Sequence, residues 1–141
     1  MPVLPAGLST SDFYYILPEL VLTGGALIVL IADVLLPRGS KALGWITMLV
    51  IGATLASLAP FTSTHVEVSH GLLAVDRFSL FFKIIFLIAA GITTLISMKY
   101  IEIEGMSAGE YYFRILCSTL GMMVMAGGID LISIFIGLET M

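Results

Sequence analysis

Four apolar runs, each long enough to cross a lipid bilayer, constrain the fold of this chain more than any other feature of its sequence. A helix needs about 20 apolar residues to span a hydrocarbon core of about 30 Å. The chain is 59% hydrophobic and 11% charged, whereas soluble domains carry about 25% charged residues. We therefore predict an all-α membrane protein, with helices at about residues 13–36, 43–61, 78–99, 110–128 and 130–141.

The fifth predicted helix is shorter than the others. A helix from Asp130 to Met141 extends about 18 Å, which is less than the thickness of the hydrocarbon core. The sequence thus predicts a single transmembrane domain over residues 1–141, built as a bundle of four complete transmembrane helices and a truncated fifth. We expect this domain to be the N-terminal part of a longer protein.

The positions of the basic residues predict the orientation of the bundle. Four of the six flank the connections between helices one and two and between helices three and four: Arg38, Lys41, Lys99 and Arg114. The other two, Arg77 and Lys83, lie toward the opposite side. Because basic residues favour the cytoplasmic side of a membrane, the N-terminus is predicted outside and the loop 62–77 external. In that loop, the alternation in residues 65–70 favours a short strand, followed by a turn at Gly71.

The residue content also argues against a nucleic-acid partner, a cleavable signal peptide and a metal site. A net charge of -4 without a basic face argues against nucleic acid as a partner. The first charge is Asp12, so the basic region of a cleavable signal peptide is missing. Cys117 is the single cysteine, and His65 and His70 would lie on opposite faces of a strand, so no metal site is predicted.

Glu139 is the candidate functional residue. It lies nine residues after Asp130, which places it roughly 13 Å along the helix and near the middle of the bilayer. Carboxylates inside a membrane are costly and usually functional. We predict that Glu139 is a proton or ion relay; a protonated carboxyl that only hydrogen-bonds a neighbouring helix is the alternative.

The remaining charged residues have simpler interpretations. For Lys83, two interpretations stay open: its side chain extends to the membrane interface (snorkelling), or it belongs to a chain of buried charges. Solvation at the interface accounts for Glu19 and Asp33. An ion pair with Glu110 at i+4 accounts for Arg114.

Two patterns of small and polar residues bear on helix ends and helix packing. The spacing of Ser107 and Glu110 predicts a capping box at the start of the fourth helix. Small residues at four-residue spacing predict close helix contacts at Gly52 with Ala56, Ala53 with Ser57, and Ala89 with Thr93 and Ser97.

Three segments of the chain resemble a known family. LPELVL at 17–22, VDRFSLFFK at 75–83 and above all EYYFRILCSTLGMMVMAGGIDLISIFIGLE at 110–139 resemble subunit N of bacterial NADH-quinone oxidoreductase, the respiratory complex I. The last segment is typical of the antiporter-like subunits as a group. The LPE sequence in the first helix favours subunit N over the related subunits L and M.

This resemblance implies a specific function, which the spacing of the residues alone does not predict. It implies a protein of about fourteen helices in the bacterial cytoplasmic (inner) membrane, which pumps protons as part of the membrane arm of the complex. Glu139 would be the helix-five glutamate of the family, paired with a lysine on helix seven that lies beyond this sequence. FMN and iron–sulfur clusters would belong to other subunits, so no cofactor is expected in this chain. The alternatives are a subunit of a multisubunit Na+/H+ exchanger and a non-functional membrane fragment.

Overall fold

The computed structural model describes residues 15–36, 41–61, 66–68, 73–75, 77–104 and 107–141. In these ranges the chain forms five α-helices: α1 (Leu17–Leu35), α2 (Ala42–Leu58), α3 (Arg77–Glu104), α4 (Ala108–Gly127) and α5 (Leu131–Thr140). A 3-10 turn, Ala59–Phe61, follows α2. The described architecture is therefore helical, as the apolar runs predict.

A short hairpin connects α2 to α3. Its strands, β1 (Val66–Val68) and β2 (Leu73–Val75), are antiparallel, with Val66 opposite Val75. The strand predicted in residues 65–70 is confirmed, whereas the predicted turn at Gly71 lies outside the described residues. Strand β2 also contacts α3 and α4, so the hairpin covers one end of the helices.

Helices α1 to α4 form a ring in which each packs on the next and α4 packs back on α1; α5 packs on α4. Two polar contacts fix the direction of the helices. The Lys41 ammonium, at the start of α2, lies 3.1 Å from the Glu102 carboxylate near the end of α3. The backbone N–H of Gly109, at the start of α4, donates to Asp33 near the end of α1 at 3.0 Å. Because β2 leads directly into α3 and α5 packs back on α4, helices α1, α3 and α5 begin at the end covered by the hairpin, which we call the hairpin end.

The third helix is longer than predicted. It was expected to end near residue 99 and runs on to Glu104. The added turn is held by Ile101, which is 4% exposed, and by the contact of Glu102 with Lys41.

The start of α4 differs in detail from the predicted capping box. Ser107 is the N-cap residue, but its side chain does not bond the backbone of the helix. Its hydroxyl instead donates to the Glu110 carboxylate at 3.2 Å, while the other oxygen of Glu110 accepts from Arg114. The predicted Glu110–Arg114 ion pair is confirmed, and because Glu110 is engaged by Arg114 it does not reach back to the backbone.

The helices are apolar outside as well as inside. Large apolar side chains cover the exterior of the bundle; among those more than half exposed are Ile31, Leu49, Phe81, Ile96, Leu131 and Phe135. Among the described helices, α1 and α3 are long and apolar enough to cross a membrane, and α2 and α5 are shorter apolar helices. An exterior of this kind fits a hydrocarbon surrounding.

Some polar side chains also lie in the largely apolar interior. Four buried threonine hydroxyls each donate to the carbonyl four residues earlier in their own helix, at 2.7 to 2.9 Å: Thr47, Thr54, Thr94 and Thr119. Such bonds satisfy the hydroxyl without requiring a partner on another helix. The hydroxyls of these four threonines are thus satisfied within their own helices.

The predicted contacts through small residues are wrong for α2. Gly52, Ala53 and Ala56 are exposed, and so are Ala89 and Thr93 on α3. The close approach lies elsewhere, between α4 and α5. A side chain added at Gly121 would place its Cβ 2.5 Å from the carbonyl oxygen of Gly137 and 2.7 Å from the backbone nitrogen of Met141.

Candidate functional site: a buried ion pair

The sequence places Glu19 at the first turn of α1. Pro18 occupies one of the first two helical positions, where its missing N–H costs nothing because the first N–H groups of a helix have no partner within it. A carboxylate in the first turn is favoured by the positive end of the helix dipole. The Thr23 hydroxyl donates to the backbone carbonyl of Glu19 at 2.7 Å and does not engage its carboxylate.

Lys83 belongs to the buried face of α3. The buried positions recur every three or four residues along this helix: Ser79, Leu80, Lys83, Leu87, Ala90, Gly91, Thr94, Ser97 and Ile101. Lys83 is four residues from both Ser79 and Leu87, so it lies in the middle of the apolar stripe rather than at its edge. Its side chain therefore enters the interior of the bundle and does not snorkel.

Glu19 and Lys83 form an ion pair inside the bundle. The Lys83 ammonium donates to Oε1 of Glu19 at 2.5 Å. Lys83 is 4% exposed and Glu19 is 8% exposed. Helices α1 and α3 are not neighbours in the ring, so these two side chains reach across its interior. The expectation that solvation accounts for Glu19 is wrong, because Lys83 supplies a buried cation.

One oxygen of this pair has no protein partner. Oε2 of Glu19 is fully buried and accepts no hydrogen bond from any described residue. A buried carboxylate oxygen without a donor costs free energy, by about 1 to 3 kcal/mol for polar groups in general. The pair is thus electrically neutral as a whole but incompletely hydrogen-bonded at one atom.

The other ion pairs among the described residues lie at the surface. Lys41 and Glu102 have side chains that are 70% and 53% exposed, and Glu110 and Arg114 are exposed as well. Exposed pairs of this kind contribute about 0 to 1 kcal/mol. The Glu19–Lys83 pair is therefore different in kind from the others.

Glu139, the predicted relay, lies on α5 and is exposed. None of the ion pairs formed between described residues includes it, so the structure does not bring Glu139 together with Lys83. The close approach of Gly121 to Gly137 holds this part of α5 against α4. The role of Glu139 stays a prediction.

No group of three metal-ligating side chains occurs in the part of the chain that the structure describes. His65 and His70 lie outside those ranges.

The partnership of Glu19 with Lys83 was missed from the sequence, although a signal for it exists. Glu19 lies two residues and Lys83 six residues after the start of an odd-numbered helix. Odd-numbered helices begin at the same face of an alternating bundle, so the two charges lie at similar depth.

The apolar exterior and the interior ion pair define a helical membrane protein with charges in its core. The chain is 38% identical to NADH-quinone oxidoreductase subunit N 1 of Koribacter versatilis, in an alignment covering 100% of this chain and 30% of the relative. It is 40% identical to subunit N of Trichlorobacter lovleyi, covering 94% of this chain and 27% of the relative. Nearly the whole of this chain is thus similar to part of NADH-quinone oxidoreductase subunit N.

A third relative, subunit N 2 of Rhizobium meliloti, is 36% identical and aligns with 88% of this chain and 26% of its own length. The chain spans less than a third of the length of these curated relatives. No family model matches the chain.

Proposed function

We propose that this chain is part of a proton-translocating subunit of an NADH-quinone oxidoreductase, in which electron transfer from NADH to quinone drives proton pumping. The observation that carries the proposal is the similarity of at least 94% of the chain to subunit N relatives at 38% and 40% identity. The proposed partners are other subunits of the membrane arm. Electron transfer, with its FMN and iron–sulfur clusters, is assigned to other subunits.

The proposed setting is the bacterial inner membrane, which the chain crosses several times. The apolar exterior supports this, because exposed side chains such as Leu131 and Phe135 on α5 suit lipid or neighbouring helices better than water. In this proposal α1 to α4 are complete transmembrane helices and the N-terminus is outside. The hairpin end is then the external end.

We assign the proton-carrying carboxylate to Glu139. Its position eight residues after the start of α5 at Leu131 corresponds to about 12 Å from the hairpin end, well inside the hydrocarbon core. At an effective dielectric constant near 20, a lysine about 5 Å away would attract this carboxylate by roughly 3 kcal/mol. Opening and closing such a pair changes which group holds the proton, and a conformational signal can thereby drive proton movement.

The test is replacement of Glu139 by Ala in the full-length subunit, assembled in its complex and reconstituted in vesicles. Proton pumping is expected to fall about 100-fold or more, because loss of a proton-transferring group typically costs two to four orders of magnitude. Glu139→Asp is expected to keep part of the activity. The matched control is Glu104→Ala, which removes an exposed carboxylate from the end of α3. Normal assembly together with unchanged pumping in Glu139→Ala would contradict the assignment.

The proposed orientation has its own test. Single cysteines replace Ser9, Ser40 or Ser107 in a Cys117→Ala background and are labelled with a membrane-impermeant thiol reagent. Ser9 is expected to label from outside, whereas Ser40 and Ser107 label only when the inner face is exposed. Labelling of Ser9 and Ser40 from the same side would reject the proposed path of α1 across the membrane.

A further inference from the structure

We propose that Glu19 and Lys83 form a second proton-transfer site, in which the unpaired oxygen of Glu19 takes up a proton and Lys83 releases one. This inference rests on the proposed function, because it assigns a further step to the same transport activity. It differs from the assignment of Glu139 in its residues and in its position, between α1 and α3.

The pair is poorly explained as a device for stability. Transfer of two charges into a bundle interior carries a large desolvation penalty, and apolar residues of similar size often pack there equally well or better. Glu19 and Lys83 join two helices that are not neighbours in the ring, whereas the apolar contacts that hold the ring lie between neighbours. An interior charge pair therefore calls for a role beyond packing.

The unpaired oxygen supplies the acceptor that proton transfer needs. A carboxylate has about four lone-pair sites on two oxygens, and Lys83 engages Oε1. Oε2 is buried and has no donor among the described residues. Among the described residues, no donor occupies Oε2, so an incoming proton or a water that carries it can bind there.

Among the described residues, no ion pair joins a third charged group to Glu19 or Lys83. Helix α2 has no charged residue from 42 to 58, and on α4 Glu110 and Arg114 are exposed and paired with each other. On α1, Asp33 is engaged by the N–H of Gly109 at the opposite end of the bundle. On α3, Arg77 is exposed at the hairpin end. The charge of the site is therefore set by Glu19 and Lys83 together.

The proposed step conserves protons. A proton binds Oε2 of Glu19, which makes the carboxyl neutral and leaves Lys83 as an uncompensated buried cation. Because an unpaired buried cation is unfavourable, Lys83 then releases a proton from Nζ to a water on its far side. Transfer of the Glu19 proton to the neutral amine restores the original ion pair, so one proton has entered and one has left.

The experiment uses the double variant Glu19→Leu/Lys83→Leu of the full-length subunit in its complex. An apolar pair removes both charges together, so the complex is expected to assemble. Proton pumping into vesicles is expected to fall about tenfold or more. The matched control is Lys41→Leu/Glu102→Leu, which removes the exposed Lys–Glu pair between α2 and α3; its pumping is expected to stay within about twofold of the unmodified protein.

A second measurement does not depend on pumping. Infrared difference spectra, recorded when NADH starts turnover, are expected to contain a carboxylic acid band that shifts in Glu19→Asp and is unchanged in Glu102→Asp. The proposal is overturned if no band shifts in Glu19→Asp, or if the double leucine variant pumps like the unmodified protein. Unchanged pumping in Glu139→Ala would reject only the assignment of Glu139, whereas a lack of NADH-driven pumping by the unmodified complex would reject the proposed function itself. Loss of pumping in Glu139→Ala, with normal pumping in the leucine pair, would reject only the second site.

Discussion

Replacing Lys83 by Met is expected to lower the free energy of unfolding by about 3 to 5 kcal/mol, because it leaves the Glu19 carboxylate buried without a cation. The substitution keeps an unbranched apolar side chain only one heavy atom shorter, so packing changes little. Thermal unfolding of the full-length subunit in detergent measures the effect. Adding Glu19→Leu to Lys83→Met is expected to restore most of the lost stability, since the unpaired charge is then gone.

The control for this prediction is Lys41→Met at the bundle surface. Lys41 forms the same type of ion pair, but in an exposed position, so its loss is expected to cost no more than about 1 kcal/mol. If Lys83→Met were as stable as Lys41→Met, the interior pair would be accessible to water and the described burial would be wrong.

Gly121→Ala is expected to separate α4 from α5 and to destabilise their packing by about 1 to 3 kcal/mol. The added Cβ would lie 2.5 Å from the carbonyl oxygen of Gly137 and 2.7 Å from the nitrogen of Met141, and backbone atoms cannot move aside as a flexible side chain does. Thermal unfolding of the full-length subunit in detergent measures the loss.

Gly91→Ala is the matched control, since Gly91 is also a buried helical glycine. Its added Cβ would meet only Ile51 Cγ2, at 3.9 Å, which is ordinary contact. Alanine is favoured over glycine in a helix by up to about 1 kcal/mol, so this variant is expected to be neutral or slightly more stable. An equal loss of stability in both variants would show that the close crossing of α4 and α5 does not decide the result.

The helices could be predicted from the sequence because long apolar runs leave few alternatives for the backbone. The buried side of each helix was harder to predict. In a soluble protein the apolar stripe marks the core, but here Ile51 inside and Leu49 outside are both apolar. Small residues such as Gly52 and Ala56 therefore looked like a contact surface and instead face outward. Without a contrast between lipid and core, spacing alone does not fix the rotation of a helix.

The site was predictable in part. Lys83 was recognised as a possible member of a buried charge chain, since a lysine inside an apolar run is unusual. Glu19 was assigned to the interface because it lies near a helix end, where solvation is the simplest account. The sequence does not reveal how the helices pack, and so it does not show that Glu19, at the start of α1, faces the interior at the level of Lys83. Pairing between helices that are distant in sequence is not visible in either segment alone.

Helix α1 is tied to two different helices near its two ends. Glu19 contacts α3 through Lys83, and Asp33 contacts α4 through the N–H of Gly109. These two points are fourteen residues apart, or roughly 21 Å along the axis. Helix α1 therefore connects the start of α3 to the start of α4 through contacts near its two ends. A shift of α3 relative to α4 would therefore either strain one of these two contacts or tilt α1, which would couple the hairpin end to the other end of the bundle.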